Sequence, residues 1–253
     1  MKRILLKCFR IITFFGLNPF ALLSLRYLPR YISDLVKWKK QGGKIDQFAV
    51  RLTNYQEPAG NAESQYFHQD LIVAQKIYED KPTKHLDFGS RIDGFVAHVA
   101  SFRELDVMDV RALEAGVHQN IRFCQSDIMK PKNLGKFDSV SCLHTIEHVG
   151  LGRYGDDLKV DGHWVALKNL ISLVSKGGRL YISFPVESKD TVYFNAHRTF
   201  SVATLPANNL VKSELKLIQF DIVDSKNKLH LDQKYKDWLD LSSGCGIYTF
   251  EKL

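Results

Sequence analysis

The sequence predicts an α/β fold, a doubly wound and mostly parallel sheet with a helical extension at its N-terminus. Three observations predict it. Apolar strand-like runs alternate with helical or loop segments from residue 85 onward, the order expected of parallel strands joined by crossovers. The first of these runs lies in Lys84–Asp93 (KHLDFGSRID) and passes through Gly89 into an apolar-faced helical stretch over residues 92–102. A buried strand, a tight turn and a helix N-terminus in succession present backbone N–H groups to a ligand. The third observation is charge. Residues 1–44 carry ten Lys or Arg against one acid, Asp34, a net of +9, so the overall +7 leaves −2 for the remainder. A basic arm on a near-neutral domain is not the surface of a nucleic-acid binder, and no nucleic-acid partner is expected. With 253 residues, 45% of them hydrophobic, the chain suits one sizeable domain over residues 64–253 and a basic helical extension over 1–63.

Taken in order, Arg3, Lys7 and Arg10 recur at i, i+4 and i+7 and line one face of a first helix whose other positions are apolar. Asn18-Pro19 is suited to start a second helix over residues 20–28. The charges and this break leave no uninterrupted apolar run of about 18–20 residues, so no membrane-spanning helix is expected. No A-x-A-like cleavage site follows. Two readings of residues 1–28 stand: a basic amphipathic segment resting on the inner face of the cell membrane, or helices capping the domain. Cys8, Cys124, Cys142 and Cys245 are scattered with no C-x-x-C pair, which reads as free thiols in a reducing cytoplasm.

Residues 29–40 read as a helix closed by Gly42-Gly43, and residues 45–63 as an irregular connection. Residues 64–80 form an amphipathic helix with Phe67, Leu71, Ala74 and Tyr78 on one stripe. Strands are expected at 85–88, 105–109, 121–124, 139–143 and 179–185. A helix is expected over 163–176, capped by Gly177-Gly178. Two more strands, 215–223 and 246–251, flank a segment too polar for an ordinary crossover helix, which implies an antiparallel return.

Ligands of such sheets sit at the carboxyl ends of the strands. Here those ends deliver Asp87 followed by Gly89, Ser90 and Arg91; Asp109, twenty positions after Gly89, a spacing suited to an acid that binds ribose hydroxyls; Ser126-Asp127, placed to meet an adenine amine; and Leu143 leading to His144, Glu147 and His148. A dinucleotide site wants G-x-G-x-x-G, but Arg91 occupies the middle position and Asp93 would repel a diphosphate. S-adenosylmethionine has no phosphate, and its positive groups favour a nearby acid such as Asp87.

These segments carry a resemblance. Residues 64–201 resemble class I S-adenosylmethionine-dependent methyltransferases, and more closely a bacterial methyltransferase-like family of unknown function often met among surface-polysaccharide genes. The strings that carry it are YFHQD at 66–70, DFGSRIDGFVAHVASFRE at 87–104, SCLHTIEHVGLGRYGD at 141–156, GGRLYISFPV at 177–186 and FNAHRTFS at 194–201. The sequence departs from the general D/E-x-G-x-G-x-G motif at Arg91 and Asp93. The resemblance implies a seven-stranded Rossmann-like sheet in the order 3-2-1-4-5-7-6 with strand seven antiparallel. It also implies that Asp109 binds the cofactor ribose and that Asp127 lies near the adenine.

Methyl transfer needs positioning, and a hydroxyl acceptor benefits from a general base. The candidates are His148, His144, His68 and His197, with Glu147 as an orienting partner, and Asn195-Ala196-His197-Arg198 as an acceptor-binding string. His144, Glu147 and His148 also have the H-x-x-E-H spacing of certain zinc proteases. Gly150 and Gly152 follow too soon for the long helix that motif requires, so no metal is expected, and residues 150–155 read as a mobile loop over the pocket. The expected function is O-methylation of a sugar or glycan-related small molecule. The alternatives are a degenerate nucleoside-binding module and an NAD-dependent oxidoreductase.

Overall fold

The computed structural model describes residues 23–57, 59–60, 62, 64–113, 116, 118–131 and 134–253. The expectations placed on residues 1–22 lie outside them. The chain divides into two units, Met1–Asn61 and Ala62–Leu253.

In the first unit a 3-10 turn, Ser24–Tyr27, leads into helix α1, Leu28–Lys40. Pro29 sits in its first turn, where a missing N–H costs nothing. Where a helix over 20–28 was expected, the described part is this 3-10 turn. Leu28, Ile32 and Val36 form an exposed apolar line on α1, and its last turn carries Lys37, Lys39 and Lys40.

The second unit holds the sheet. Its strands are β1 (His85–Phe88), β2 (Leu105–Asp109), β3 (Ile121–Gln125), β4 (Phe137–Leu143), β5 (Val174–Val186), β8 (Leu215–Val223), β9 (Leu229–His230) and β10 (Gly244–Lys252). Their order is β3-β2-β1-β4-β5-β10-β8-β9. β10 runs antiparallel to both β5 and β8. Apart from the two-residue edge strand β9, this is the expected seven-stranded order. A separate hairpin pairs β6 (Thr191–Tyr193) with β7 (His197–Thr199).

Period-two alternation distributes the core. On β5, Leu180, Ile182 and Phe184 join one cluster with Ala166, Leu167 and Leu170 of helix α4 (Gly162–Leu173), while Tyr181 faces the other. That second cluster takes Val73, Ala74 and Ile77 of helix α2 (Gln65–Asp80), with Phe95, Val96 and Val99. α2 starts at Ser64, whose hydroxyl accepts from the Phe67 N–H at 3.0 Å. It is tied to the sheet by Lys76, which donates to the fully buried Asp221 of β8 at 2.5 Å.

Two helices differ from expectation. The stretch 92–102 is a π turn, Ile92–Val96, followed by a short helix α3, Ala97–Ala100. The break is at Gly94, whose φ −121 and ψ −115 are not helical. α4 ends at Leu173 rather than residue 176, because Val174 already pairs with Phe137 of β4. The register shift between Phe137 and Ser139 absorbs the intervening residues, and Gly177, at φ +75, turns there rather than capping a helix.

Candidate active site

A cleft of about 780 Å³ opens at the carboxyl ends of β1, β2 and β4. Its floor is the turn after β1. Gly89 has φ +78, and a Cβ there would stand 2.3 Å from Cγ2 of Thr145, so both backbone and space require glycine. Ser90 is held by Asp87, which accepts from the Ser90 N–H at 3.1 Å and its hydroxyl at 2.8 Å.

Asp87 is itself part of a buried polar ladder. The Ser141 hydroxyl donates to it at 2.6 Å, leaving the Ser141 oxygen to accept from Nε2 of His85 at 3.1 Å. Nδ1 of His85 then accepts from the Ser139 hydroxyl at 2.8 Å. Burial drives the His85 pKa down to about 3, so the ring is neutral. Burial raises the Asp87 pKa to about 7, opposed by its hydrogen bonds from Ser141 and Ser90. Asp87 is fully buried and does not line the cleft; it acts on the turn through Ser90.

Gly89, Ser90, Arg91, Asp109, Asp127 and Leu143 all line the cleft. Arg91 is exposed and forks onto Asp93 at 2.9 and 2.7 Å. The Asp109 carboxylate is engaged by the Arg111 guanidinium at 2.9 and 2.5 Å and by the Arg111 N–H at 2.8 Å. Arg111 in turn lies over the Tyr154 ring at 4.7 Å. Asp127 accepts from the Met129 N–H at 2.8 Å.

The opposite wall contains His144, Glu147, His148 and His197. His144 adopts φ +47, rare for a side-chain-bearing residue. Its Nε2 lies 3.2 Å from Sγ of Cys245 on β10, and its Nδ1 lies 3.2 Å from Oε1 of Glu147. Burial works against charging His144, but the Cys245 sulfur and Glu147 outweigh it and hold the pKa well above the ordinary imidazole value. Glu147 is 1% exposed, and apart from the His144 Nδ1 at 3.2 Å from Oε1 its carboxyl oxygens have no hydrogen-bond partner.

His148 donates from Nδ1 to the Ala196 carbonyl at 2.7 Å. The Arg153 guanidinium also comes within 3.3 Å of Nδ1, but the shorter contact is to a carbonyl, which only accepts, so the proton is on Nδ1. Burial lowers the His148 pKa, so Nε2 carries a free lone pair at neutral pH; it stands 3.6 Å from Oε1 of Glu147. His68, half-buried beside Phe67, does not line the cleft.

The acceptor-binding string splits. His197 reaches the cleft and stacks on Tyr193 at 4.9 Å, whereas Asn195 turns the hairpin at φ +59. Buried Arg198 donates to the carbonyls of Val149 at 2.8 Å and of Glu147 and Val160 at 3.3 Å. It therefore pins the loop rather than an acceptor. Asp156 also holds that loop, accepting from the Gly150 N–H at 2.7 Å. The expected mobile loop is thus hydrogen-bonded at its base, with Arg153 and Tyr154 reaching the cleft. Tyr66, Gln69, Asp70, Arg111 and Thr145 line the cleft as well, and local sequence pattern assigns them no role. A polar i, i+3, i+4 set on α2 was the available signal for Tyr66, Gln69 and Asp70. Among the described residues no group of three or more His, Cys, Asp or Glu is arranged to hold a metal, and no helix is long and apolar enough to cross a membrane.

A family described as Caenorhabditis protein of unknown function, DUF268, matches residues 120–239. No curated protein matches the sequence. Solved structures do match. The [4+2]-cyclase SpnF is similar at 14% identity and TM-score 0.55, over 73% of this chain and 80% of its own. The 1,6-didemethyltoxoflavin-N1-methyltransferase of Burkholderia thailandensis, solved with S-adenosylhomocysteine, is similar at 14% identity and TM-score 0.51, over 90% of both chains. The N-methyltransferase NodS of Bradyrhizobium japonicum WM9, also with S-adenosylhomocysteine, is similar at 13% identity and TM-score 0.50, over 74% of this chain and 87% of its own. Strand order, the antiparallel β10 and these likenesses agree that the chain has the fold of the class I S-adenosylmethionine-dependent methyltransferases.

Proposed function

We propose that the protein is an S-adenosylmethionine-dependent methyltransferase that methylates a hydroxyl of a sugar or glycan-related small molecule. One observation carries the reading: a single cleft joins the Gly89–Ser90 turn, Asp109 and Asp127 to an unprotonated imidazole nitrogen on His148. The residues suit the cofactor. The turn is open because Gly89 has no Cβ, Asp109 offers a carboxylate to ribose hydroxyls once Arg111 moves aside, and Asp70 lines the cleft with a carboxyl suited to a sulfonium or an amino group. S-adenosylmethionine bound there would supply an activated methyl group. His148 takes the proton of the attacking hydroxyl on Nε2, and the Ala196 carbonyl fixes the tautomer that leaves Nε2 free. A sugar or glycan acceptor is the finer expectation, resting on the resemblance described above. The same reading places the protein in the cytoplasm, with residues 1–28 touching the membrane surface through Arg3, Lys7 and Arg10.

A second reading is a nucleoside-binding module without catalysis. Its support is the Arg111 guanidinium already seated on Asp109, the carboxylate a ribose would need. Calorimetric titration with S-adenosylmethionine, S-adenosylhomocysteine and NAD tests both, followed by transfer of labelled methyl to nucleotide sugars and glycan extracts. Binding of the first two ligands with labelling supports methyl transfer. Binding without labelling favours the module, and binding of NAD alone overturns both cofactor assignments.

A further inference from the structure

Two hydrogen-bond acceptors face each other in the cleft with no donor between them. One is the Glu147 carboxyl, whose side chain is 1% exposed and whose oxygens have no hydrogen-bond partner apart from the His144 Nδ1. The other is Nε2 of His148, 3.6 Å from Oε1, with its proton committed to Nδ1 by the Ala196 carbonyl. A buried acceptor left unmatched costs free energy that a ligand recovers only by bringing hydrogens. Accepting the methyltransferase reading above, we propose that the acceptor is recognised as a vicinal diol, one hydroxyl donating to Glu147 and its neighbour donating to Nε2 of His148.

A lone hydroxyl has one hydrogen and matches one of the two acceptors. Hydroxyls on adjacent carbons offer two hydrogens at a separation comparable to that of the acceptors. An amine also brings enough hydrogens, but its cationic form meets the wrong field. His144 Nδ1 already lies 3.2 Å from that carboxyl, and against the pull of burial the Cys245 sulfur and Glu147 hold its pKa up. The Arg153 guanidinium lies on the other side of His148, donating to the Ala196 carbonyl at 2.9 Å. A neutral diol enters this site without facing either charge. The roles then separate: the hydroxyl on His148 is the one that reacts and loses its proton to Nε2, while its neighbour on Glu147 is held and left unchanged. Glu147 thereby selects which of two adjacent hydroxyls stands at His148.

Ligand-observed saturation-transfer NMR on the full chain, with and without S-adenosylhomocysteine, reads this recognition without turnover. The probes are cyclohexane-1,2-diol, cyclohexanol and cyclohexylamine. The diol is expected to bind about tenfold tighter than the mono-alcohol, the value of one further hydrogen bond to a charged group. In Glu147→Gln a neutral amide oxygen accepts more weakly, and the diol's advantage shrinks to about threefold or less, while S-adenosylhomocysteine affinity stays within about twofold. Cyclohexanol binding as well as the diol, cyclohexylamine binding better, or no probe binding at all each overturns the proposal. Should Glu147→Gln not fold, the probe series on the unaltered chain decides alone. If the chain fails to bind S-adenosylhomocysteine, the methyltransferase reading falls, while the probe series without cofactor still decides the diol.

Discussion

Replacing Gly89 by alanine attacks the turn on two independent counts, and the structure lets them be separated. The residue sits at φ +78, where a side chain costs about 1–2 kcal/mol. The new Cβ would also lie 2.3 Å from Cγ2 and 2.8 Å from Oγ1 of Thr145. Overpacking of this kind costs about 1–3 kcal/mol. Gly89→Ala should therefore lose about 2–5 kcal/mol in total. Thr145→Ala removes both offending atoms and leaves a Cβ contact at 3.1 Å, together with the loss of the hydroxyl's bond to the Leu143 carbonyl at 3.0 Å. In that background the alanine at 89 should cost only the backbone part, about 1–2 kcal/mol. Urea denaturation of the four chains, read as a double-mutant cycle, measures the difference. An equal cost in both backgrounds would refute the steric argument. A Gly89→Ala chain within about 0.5 kcal/mol of the parent would refute the backbone argument too.

Asp109→Ala should weaken S-adenosylhomocysteine binding about ten- to hundredfold by calorimetry, the value of a hydrogen bond to a charged group. Arg111→Ala should tighten it about two- to fivefold, since a half-exposed ion pair worth up to about 1 kcal/mol no longer competes; weaker binding would mean that Arg111 itself holds the ligand. His148→Ala should lower turnover about 10²–10⁴-fold with cofactor affinity unchanged. Because burial lowers the His148 pKa, its base form persists below pH 6.5, so turnover should fall only on the acid side of that value; an acid limb above pH 6.5 would place the base elsewhere. Cosedimentation with anionic liposomes should retain the full chain at low salt and lose a chain lacking residues 1–28, and equal pelleting of the two would exclude membrane contact through that segment.

What the sequence made legible was whatever repeats locally. Short apolar-rich runs marked β1, β2, β4 and β5, central strands buried on both faces, and Gly89 marked the turn, because a buried run and a positive φ leave their signature within a few positions. The break at Gly94 was not legible, since the apolar spacing of 92–102 is the same for one helix as for a π turn followed by a short helix. The site was legible only along single strand ends. His144, Glu147 and His148 lie within five residues, but Cys245 reaches His144 from 101 positions away and Gln69 meets Ser183 from 114. Such contacts exist only once β10 and α2 are docked. Arg198 sat in a string that suggested a ligand; burial against three carbonyls gives it a structural role that no local pattern encodes.

The ladder beneath the turn has a consequence for how the chain finds its alignment. Apolar alternation on β1 and β4 rejects a slip of one residue, which would turn Leu86 and Phe88 to the wrong face, but it is blind to a slip of two. In the native pairing His85 stands opposite Ser139 and Asp87 opposite Ser141. Slide β1 two positions one way and Asp87 faces Leu143; slide it the other way and His85 faces Phe137. Either error strands a titratable group against hydrocarbon in the middle of the sheet. The four polar side chains thus proofread strand pairing, and the alignment they enforce is the one that brings Gly89 to Thr145.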